Sequence, residues 1–421
     1  MMQSNLYSLC MLHLSKVRIC RILLCIAVLF CFFSCADEKI PGTVKSHELF
    51  TLKYGKFDDQ INLFSLASVG AMKTYMTMRS GFFYIANGES KKIMELNSYG
   101  DLLTLYYNKD ANRTPDFVAA GSAGNGTKKA VAYPFNTLGP IAVDGKKNLY
   151  VTDTLPKEQQ VNDAQKNIIL DKIIIRFSSD GNFMDYLGQQ GPGGTPFPFI
   201  KNIYTTNDDE LVVVCTTNDG PCVYWFSKDG FLQYIIPIKD SDVPNPFKKR
   251  KNVENEMYVS VENVIPAHSG HTLYLKVDYF TTYVDQDSKV QSGIDYTDTM
   301  LYPLNAATGK YGEPLKIPPY EQRVSQGFSK LSYSIPYDFI GVTDNNWLFF
   351  SIITDTGYLL QIVQPNGQHI IKRSLKIDNS KLLFYTFSFS DSGIISGLFA
   401  EQNSAKMIWW RTDSVIASLS K

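Results

Sequence analysis

The run Ile173-Ile-Ile-Arg-Phe177, Ser178-Ser-Asp-Gly181, Asn182-Phe-Met-Asp-Tyr-Leu187, Gly188-Gln-Gln-Gly-Pro-Gly-Gly194, Thr195-Pro-Phe197-Pro-Phe-Ile-Lys-Asn-Ile203 decides the fold. An apolar strand ends at Phe177 and a tight turn follows at Ser179-Asp180-Gly181. A second strand runs to Leu187, and a Gly-rich loop leads to the anchor Phe197 and a new strand. Short apolar runs bounded by turn residues, with no helical period between them, are the mark of antiparallel strands.

Working outward, the phrase recurs. Strands ending in a Gly turn appear at Leu96-Asn-Ser-Tyr-Gly100, Phe177-Ser-Ser-Asp-Gly181, Phe226-Ser-Lys-Asp-Gly230, Leu304-Asn-Ala-Ala-Thr-Gly309 and Val363-Gln-Pro-Asn-Gly367, with a sixth, less regular copy at Trp410-Arg-Thr-Asp-Ser414. Gly supplies the positive φ that a two-residue hairpin turn requires. A second mark, a polar turn before a hydrophobic strand, alternates with the first. It appears at Gly81–Ala86, Asn148–Asp153, Glu210–Cys215, His271–Leu275, Asn346–Ser351 and Gly393–Leu398. A third strand precedes the second mark, as at Pro140–Asp144 and Tyr337–Val342. Four antiparallel strands per repeat, six times over, predict an all-β, six-bladed β-propeller of four-stranded blades.

Closure is readable too. Phe50, Leu52 and Tyr54 alternate with Thr51 and Lys53, a half-buried strand. Tyr54-Gly55 is followed nine residues on by Phe64, as Leu187-Gly188 is by Phe197, so residues 48–54 look like an outer strand lacking its three partners. The C-terminal repeat supplies those three, at about 383–390, 394–400 and 405–411. The N-terminal strand therefore completes the last blade, with Val415 to Leu419 as the rival for that slot. Insertions at Tyr107–Asn136, Leu155–Asn167, Asp240–Glu256 and Asp285–Tyr296 read as polar surface loops.

The chain has 421 residues, with 25 Tyr and 26 Phe among them, a richness in rings that suits pleated surfaces. Its formal charge is zero, and three of its 41 basic residues (Lys16, Arg18, Arg21) lie before residue 35 with no acid among them. The remainder, 38 basic against 41 acidic, has no electrostatic reason to bind nucleic acid. Five of the seven cysteines (Cys10, Cys20, Cys25, Cys31, Cys35) precede residue 36, which excludes a disulfide scaffold.

Lys16, Arg18 and Arg21 precede an apolar run of twelve residues, Ile22 to Phe33, which is the length of a signal peptide and short for a membrane span. Residues 1–34 thus read as an export segment, with translation starting at Met1 or Met11. Phe32-Phe33-Ser34-Cys35 resembles a bacterial lipobox, with Phe32 where the usual Leu stands. The resemblance implies acylation at Cys35 (diacylglycerol and palmitate), a tether over 35–47, and a propeller over 48–421. The protein is then expected on a cell or outer membrane, facing the periplasm or exterior. An uncleaved anchor helix is the alternative.

Gly139-Pro-Ile-Ala-Val-Asp144, Asn148-Leu-Tyr-Val-Thr-Asp153, Ile174–Gly181 and Gly188-Gln-Gln-Gly191 running to Phe197 together resemble the NHL repeat, well over about 138–235, partly at 81–107 and weakly after 260. With the leader, the chain is similar to NHL-like propeller lipoproteins of spirochaetes or Bacteroidetes. That resemblance implies a lipid-anchored propeller and sets fold more than function.

Candidate chemical groups each have a plain structural counterpart. His268-Ser-Gly-His271 holds two metal-ligand types but no third nearby, and a polar turn explains it. Asn207-Asp-Asp-Glu210 has calcium-like chemistry, yet sits where every repeat turns. Cys215 and Cys222 face one another across an expected hairpin, as a cross-strand disulfide or as two buried thiols. Lys248-Lys-Arg-Lys251 suits anionic headgroups or simply solvent. No catalytic, cofactor or metal residues are assigned. Three functions follow: a binding or scaffolding platform for a protein or glycan, a metal-dependent propeller hydrolase or lyase acting in the axial channel, or a structural envelope component. Three or more convergent Asp, Glu, Asn or His in the channel favour the enzyme; an apolar or Tyr/Thr-lined channel favours the platform.

Overall fold

The computed structural model describes residues 41–63, 74–119, 128–247, 257–284, 287, 291–326 and 329–418. Residues 1–34, Cys35, Phe64 and the basic run 248–251 lie outside the described residues. Thr43 onward forms one compact unit, a six-bladed propeller. Blade 1 is Thr74–Arg79, Phe82–Asn87, Lys92–Leu96 and Leu102–Tyr107, with Lys129–Ala132 added in parallel at its edge. Blade 2 is Leu138–Val143, Leu149–Thr154, Lys172–Phe177 and Phe183–Gly188. Blade 3 is Phe199–Thr205, Leu211–Thr217, Gly220–Phe226 and Leu232–Pro237. Blade 4 is Met257–Pro266, Thr272–Val284, Gln291–Asn305 and Leu315–Ile317. Blade 5 is Asp338–Val342, Leu348–Thr354, Gly357–Val363 and Ile370–Lys376. Blade 6 is Phe384–Phe389, Ile395–Ala400 and Ser404–Trp410, and its fourth strand is the N-terminal Ser46–Lys53, with Phe50 opposite Met407 and Leu52 opposite Ala405. The rival segment after Val415 is instead the short helix Asp413–Ala417. Because the N-terminal strand already occupies that edge of blade 6, the irregular mark at Trp410 to Ser414 leads into this helix and not into a hairpin.

The ring has no single central core. Six apolar clusters fill the six gaps between neighbouring blades. Middle strands therefore serve two cores at once. Phe83 and Ile85 pack toward blade 6, while Tyr84 and Ala86 pack toward blade 2. Leu211, Val213 and Cys215 face blade 2, while Val212 and Val214 face blade 4. Burial on both faces is why these strands read as unbroken apolar runs and not as alternating ones.

Strand direction assigns the connections to two faces. The turns after the first and third strands of each blade lie on one, the turn face. The turns after the second strand and the links to the next blade lie on the other, the loop face. Both recurring sequence marks fall on the turn face. The Gly turns are one residue longer than a two-residue hairpin. In Ser178–Asn182 the Gly181 N–H donates to the Ser178 carbonyl, and the Ser178 N–H donates to the Asn182 carbonyl. This is a type I turn closed by a bulge residue in the left-handed region, Gly181 at φ 85°. The same bonds recur at Asn97–Asp101 and Ser227–Phe231. The two-residue form occurs at Ser80-Gly81, where both φ are positive, and on the loop face at Asn218-Asp219 and Asp355-Thr356.

Glycine in these turns meets a second demand. A Cβ on Gly100 would fall 2.8 Å from Phe50, on Gly181 2.8 Å from Val131, on Gly230 2.8 Å from Arg176, and on Gly367 2.3 Å from Leu315. Each of those neighbours belongs to the preceding blade. In these four turns one residue must take the left-handed conformation and also let the adjacent blade close in, whereas at Gly309 only the first demand applies. The turns after the first strands of blades 2, 3, 5 and 6 have the same bond pattern, with Lys147, Asp209, Asn346 and Gly393 at positive φ.

Every long insertion leaves the blades on the loop face, and three expected as loops carry strands. Tyr107–Asn136 contains the edge strand Lys129–Ala132. Leu155–Asn167 contains part of a small hairpin, Val161–Asp163 with Ile168–Leu170. Residues 291–296 belong to the long hairpin of blade 4, where Thr281 to Val284 pair with Gln291 to Asp295. A further hairpin, Tyr320–Gln326 with Ser329–Ile335, joins blades 4 and 5 and was not expected. Its first strand is polar and without an apolar period, and its second alternates Leu331, Tyr333 and Ile335 with polar residues although Leu331 and Tyr333 are exposed. Among the described residues no helix is long and apolar enough to cross a membrane.

Candidate functional site: the axial cavity

The first strand of each blade lines the axis. In blades 2 to 5 this strand is bulged at a matching position. Pairing in blade 3 passes from Ile200 to Asn202, in blade 4 from Val261 to Asn263, in blade 5 from Phe339 to Gly341, and in blade 2 from Leu138 to Ile141. The extra residues Lys201, Glu262 and Ile340 are left out of the ladder, which bends the strand and frees backbone polar groups. The bulges are tied across blades. Lys201 Nζ donates to the Glu262 carbonyl at 2.6 Å, and Asn263 Nδ2 donates to the Phe339 carbonyl at 2.8 Å.

A cavity of about 460 Å³ occupies the axis and reaches toward the gap between blades 5 and 6. That volume suits a small ligand. All six blades contribute to the wall, which carries no Asp or Glu and one cation, Lys201. Its polar groups are hydroxyls and amides, among them Tyr75, Thr77, Asn202, Tyr204, Thr386 and Ser388. Asn202 Nδ2 donates to the Tyr204 hydroxyl at 3.0 Å, and the Ser388 hydroxyl accepts from the Met78 N–H at 3.1 Å, so both hydroxyl protons can still be donated. Burial pushes the Tyr75 and Tyr204 hydroxyls above their ordinary range, which keeps them protonated donors. Gly341 makes room for the aromatic wall, since a Cβ there would fall 2.0 Å from the Phe389 ring.

At the turn face the axis is crossed by protein. Asn207 of blade 3 donates its N–H to the His268 carbonyl of blade 4 at 2.8 Å, and its amide to Asp344 of blade 5 at 3.0 Å. The Asp344 N–H donates to the Asp391 carbonyl of blade 6, and Asp391 pairs with Arg79 of blade 1 at 2.9 Å. The turns of blades 3, 4, 5, 6 and 1 are thus tied together at that end.

The residues singled out in sequence do not converge. His268 Nε2 bonds the Val342 carbonyl at 2.8 Å, while His271 lies between the Trp225 and Tyr234 rings with Glu210 3.4 Å away. The Asn207–Glu210 corner disperses: Asp209 accepts from the Gly145 N–H and pairs with Lys146, and Glu210 accepts from Trp225 Nε1. Among the described residues no three His, Cys, Asp or Glu side chains are grouped to hold a metal. Cys215 and Cys222 are direct cross-strand partners, both buried and both thiols. Burial raises both pKa values. Pro221 opposite Thr216 has no N–H, so the alternation puts the cysteines at a hydrogen-bonded pair, the wider of the two kinds of site. Cavity residues on the first strands were missed. The signal was an amide following a charged residue inside an apolar strand, Ile200-Lys-Asn-Ile203 and Val261-Glu-Asn-Val264.

No family model matches the chain, and no curated protein matches it in sequence. Among solved structures it is similar to a polysaccharide lyase of family 25, an ulvan lyase, crystallised with a glucuronate–sulfated rhamnose ligand. Identity is 11% and the TM-score 0.41, with 86% of this chain and 95% of that one covered. It is also similar to regucalcin, a calcium-binding protein from Agrobacterium tumefaciens, at 12% identity and a TM-score of 0.40, covering 87% and 94%. No conclusion about activity rests on these likenesses.

Proposed function

We propose that the protein is a recognition platform: an exported propeller, lipid-anchored through Cys35, that engages a protein or glycan with its loop face and axial cavity. The observation that carries the binding half is the cavity wall itself, a mixed surface of aromatic rings, hydroxyls and amides without a carboxylate. Asn202, Asn263 and His268 do meet there, but their bonds run to Tyr204, the Phe339 carbonyl and the Val342 carbonyl, which is structural use. Acid–base or metal-assisted hydrolysis needs ionisable groups aimed at a substrate, and the wall supplies none beyond Lys201 and His268.

The anchoring half rests on the Lys16–Cys35 leader, and the kinship with NHL-type lipoproteins on the repeat at 138–235. One experiment addresses both halves: affinity capture of the intact protein from membranes in mild detergent, beside Cys35→Ala and a variant with residues 321–334 replaced by a short Gly-Ser link. The reading expects a specific partner with the intact protein, loss from the membrane fraction for Cys35→Ala, and loss of the partner for the trimmed hairpin. A mature chain without acyl mass on Cys35 ends the anchoring half; no partner, or one indifferent to the loop face, ends the platform.

A further inference from the structure

We infer that the axial cavity is a subsite for an uncharged saccharide, a short segment or chain end of a neutral glycan. The inference deepens the platform reading and rests on it. Charge comes first. The wall has no carboxylate to meet a cation, and its one ammonium, on Lys201, is already held 2.6 Å from the Glu262 carbonyl. A charged ligand there sheds hydration without gaining an ionic partner. Polarity comes second. Hydroxyls and amides are spread around the wall: Tyr75 and Thr77 from blade 1, Asn202 and Tyr204 from blade 3, Thr386 and Ser388 from blade 6. An acyl chain would leave them unpaired, at a cost for each. A sugar ring offers hydroxyls in all directions to meet them.

Shape comes third. Between the polar groups stand flat rings, Phe339 stacked on Phe350 with centroids 5.0 Å apart, and Tyr358 packed edge-on to Phe387 at 5.1 Å. The C–H face of a pyranose is apolar and flat, and such rings are the surfaces that cover it. Tyr adds a polar edge to an apolar face, the combination an amphipathic ring needs. Exposed Phe199 and Tyr385 begin the first strands of blades 3 and 6 at the loop face, where the rest of a longer chain would lie.

The test is calorimetric titration of the full chain in mild detergent with neutral trisaccharides of glucose, mannose, galactose and xylose. A uronate-bearing trisaccharide, an uncharged tripeptide and an octanoate serve as competitors of other classes. At least one neutral trisaccharide should bind with Kd at or below about 1 mM, and the uronate should bind at least tenfold more weakly. Tyr75→Phe and Thr386→Val each remove only the hydroxyl of a wall residue. Each should weaken binding about three- to tenfold while the melting temperature stays put. No binding by any neutral sugar at about 10 mM, tighter binding of the peptide or octanoate, or variants that bind as the parent does would overturn the inference. A silent sugar panel with a partner still captured through the loop face sinks this inference alone. A neutral sugar bound and then cleaved keeps the ligand class and sinks the platform.

Discussion

On the turn face the ring repeats itself. Each Gly turn caps its own hairpin, all but that at Gly309 seat the glycine against the blade before it, and a set of polar bonds runs from Asn207 through Asp344 and Asp391 to Arg79. The loop face repeats less: the two-residue turns after Thr217 and Thr354 match, each threonine hydroxyl donating to the glycine carbonyl three residues on, while a small hairpin rises from blade 2, a long one from blade 4, and a third links blades 4 and 5. Exposed Tyr283, Ile294, Leu331 and Tyr333 lie on the latter two, and exposed Tyr258 on the blade 4 strand beside them. The difference teaches where selection for closure ends and room for specificity begins. Repetition marks what every blade needs in order to pack, and its absence marks what only this protein needs.

The comparison can be broken from the turn side first. Phe177 is fully buried beside Tyr106 of blade 1 and Tyr133, Phe135 and Phe183. Phe177→Ala should cost about 3–5 kcal/mol in chemical denaturation; a loss under 1 kcal/mol would mean the gap between blades 1 and 2 is loosely packed. Gly230→Ala should cost about 2–4 kcal/mol, combining a left-handed backbone at φ 88° with a Cβ 2.8 Å from Arg176. Asn346→Gly, at φ 58° in a turn of the other set, should instead be neutral or stabilise by up to about 1 kcal/mol. Equal effects at the two sites would show that the clash with the preceding blade is not what demands glycine.

On the loop side, Lys92 is buried and its Nζ donates to the Phe57 carbonyl at 2.6 Å. Burial lowers its pKa from 10.5 to about 8, against the pull of Asp58 and Asp59. The unfolded chain then binds more protons between those values, so this contribution to stability is complete above 10.5 and is lost as pH falls through about 8. Denaturation midpoints should rise between about pH 7.5 and 9.5, by at most about 3 kcal/mol at full deprotonation. Lys92→Met should remove that slope. Tyr54, raised to about 12 by burial and then by Glu401, acts in the opposite sense above pH 10, outside this window. The smallest effect is expected for trimming residues 321–334, under about 0.5 kcal/mol, since that hairpin pairs only with itself. A large loss there would make the loop face part of the scaffold.

Much of the scaffold was legible because its two demands, a positive φ and an apolar strand, each leave a residue type behind. The N-terminal latch was legible from Phe50 and Leu52 alternating with Thr51 and Lys53, all now placed opposite Ser404–Trp410. The extra turn residue was not, since Ser178-Ser-Asp-Gly181 suits either hairpin length until the bonds are seen. The strands at 291–296 and 320–326 hid because they carry no hydrophobic period, which left the alternation Leu331, Tyr333, Ile335 without a readable partner strand. The cavity was least legible. Its groups lie on six strands far apart in sequence, and a bulge such as that at Lys201 depends on the partner strand as much as on its own residues.

Ring closure by the N-terminal strand underlies both faces, and hydrogen exchange measures it directly. Amides of Ser46–Lys53 that bond to Ser404–Trp410 should exchange as slowly as those of Ile395–Ala400, in one cooperative opening with the rest of the ring. Exchange of Ser46–Lys53 within minutes, while Ile395–Ala400 stays protected, would mean that the propeller stands without its latch and that blade 6 has three strands.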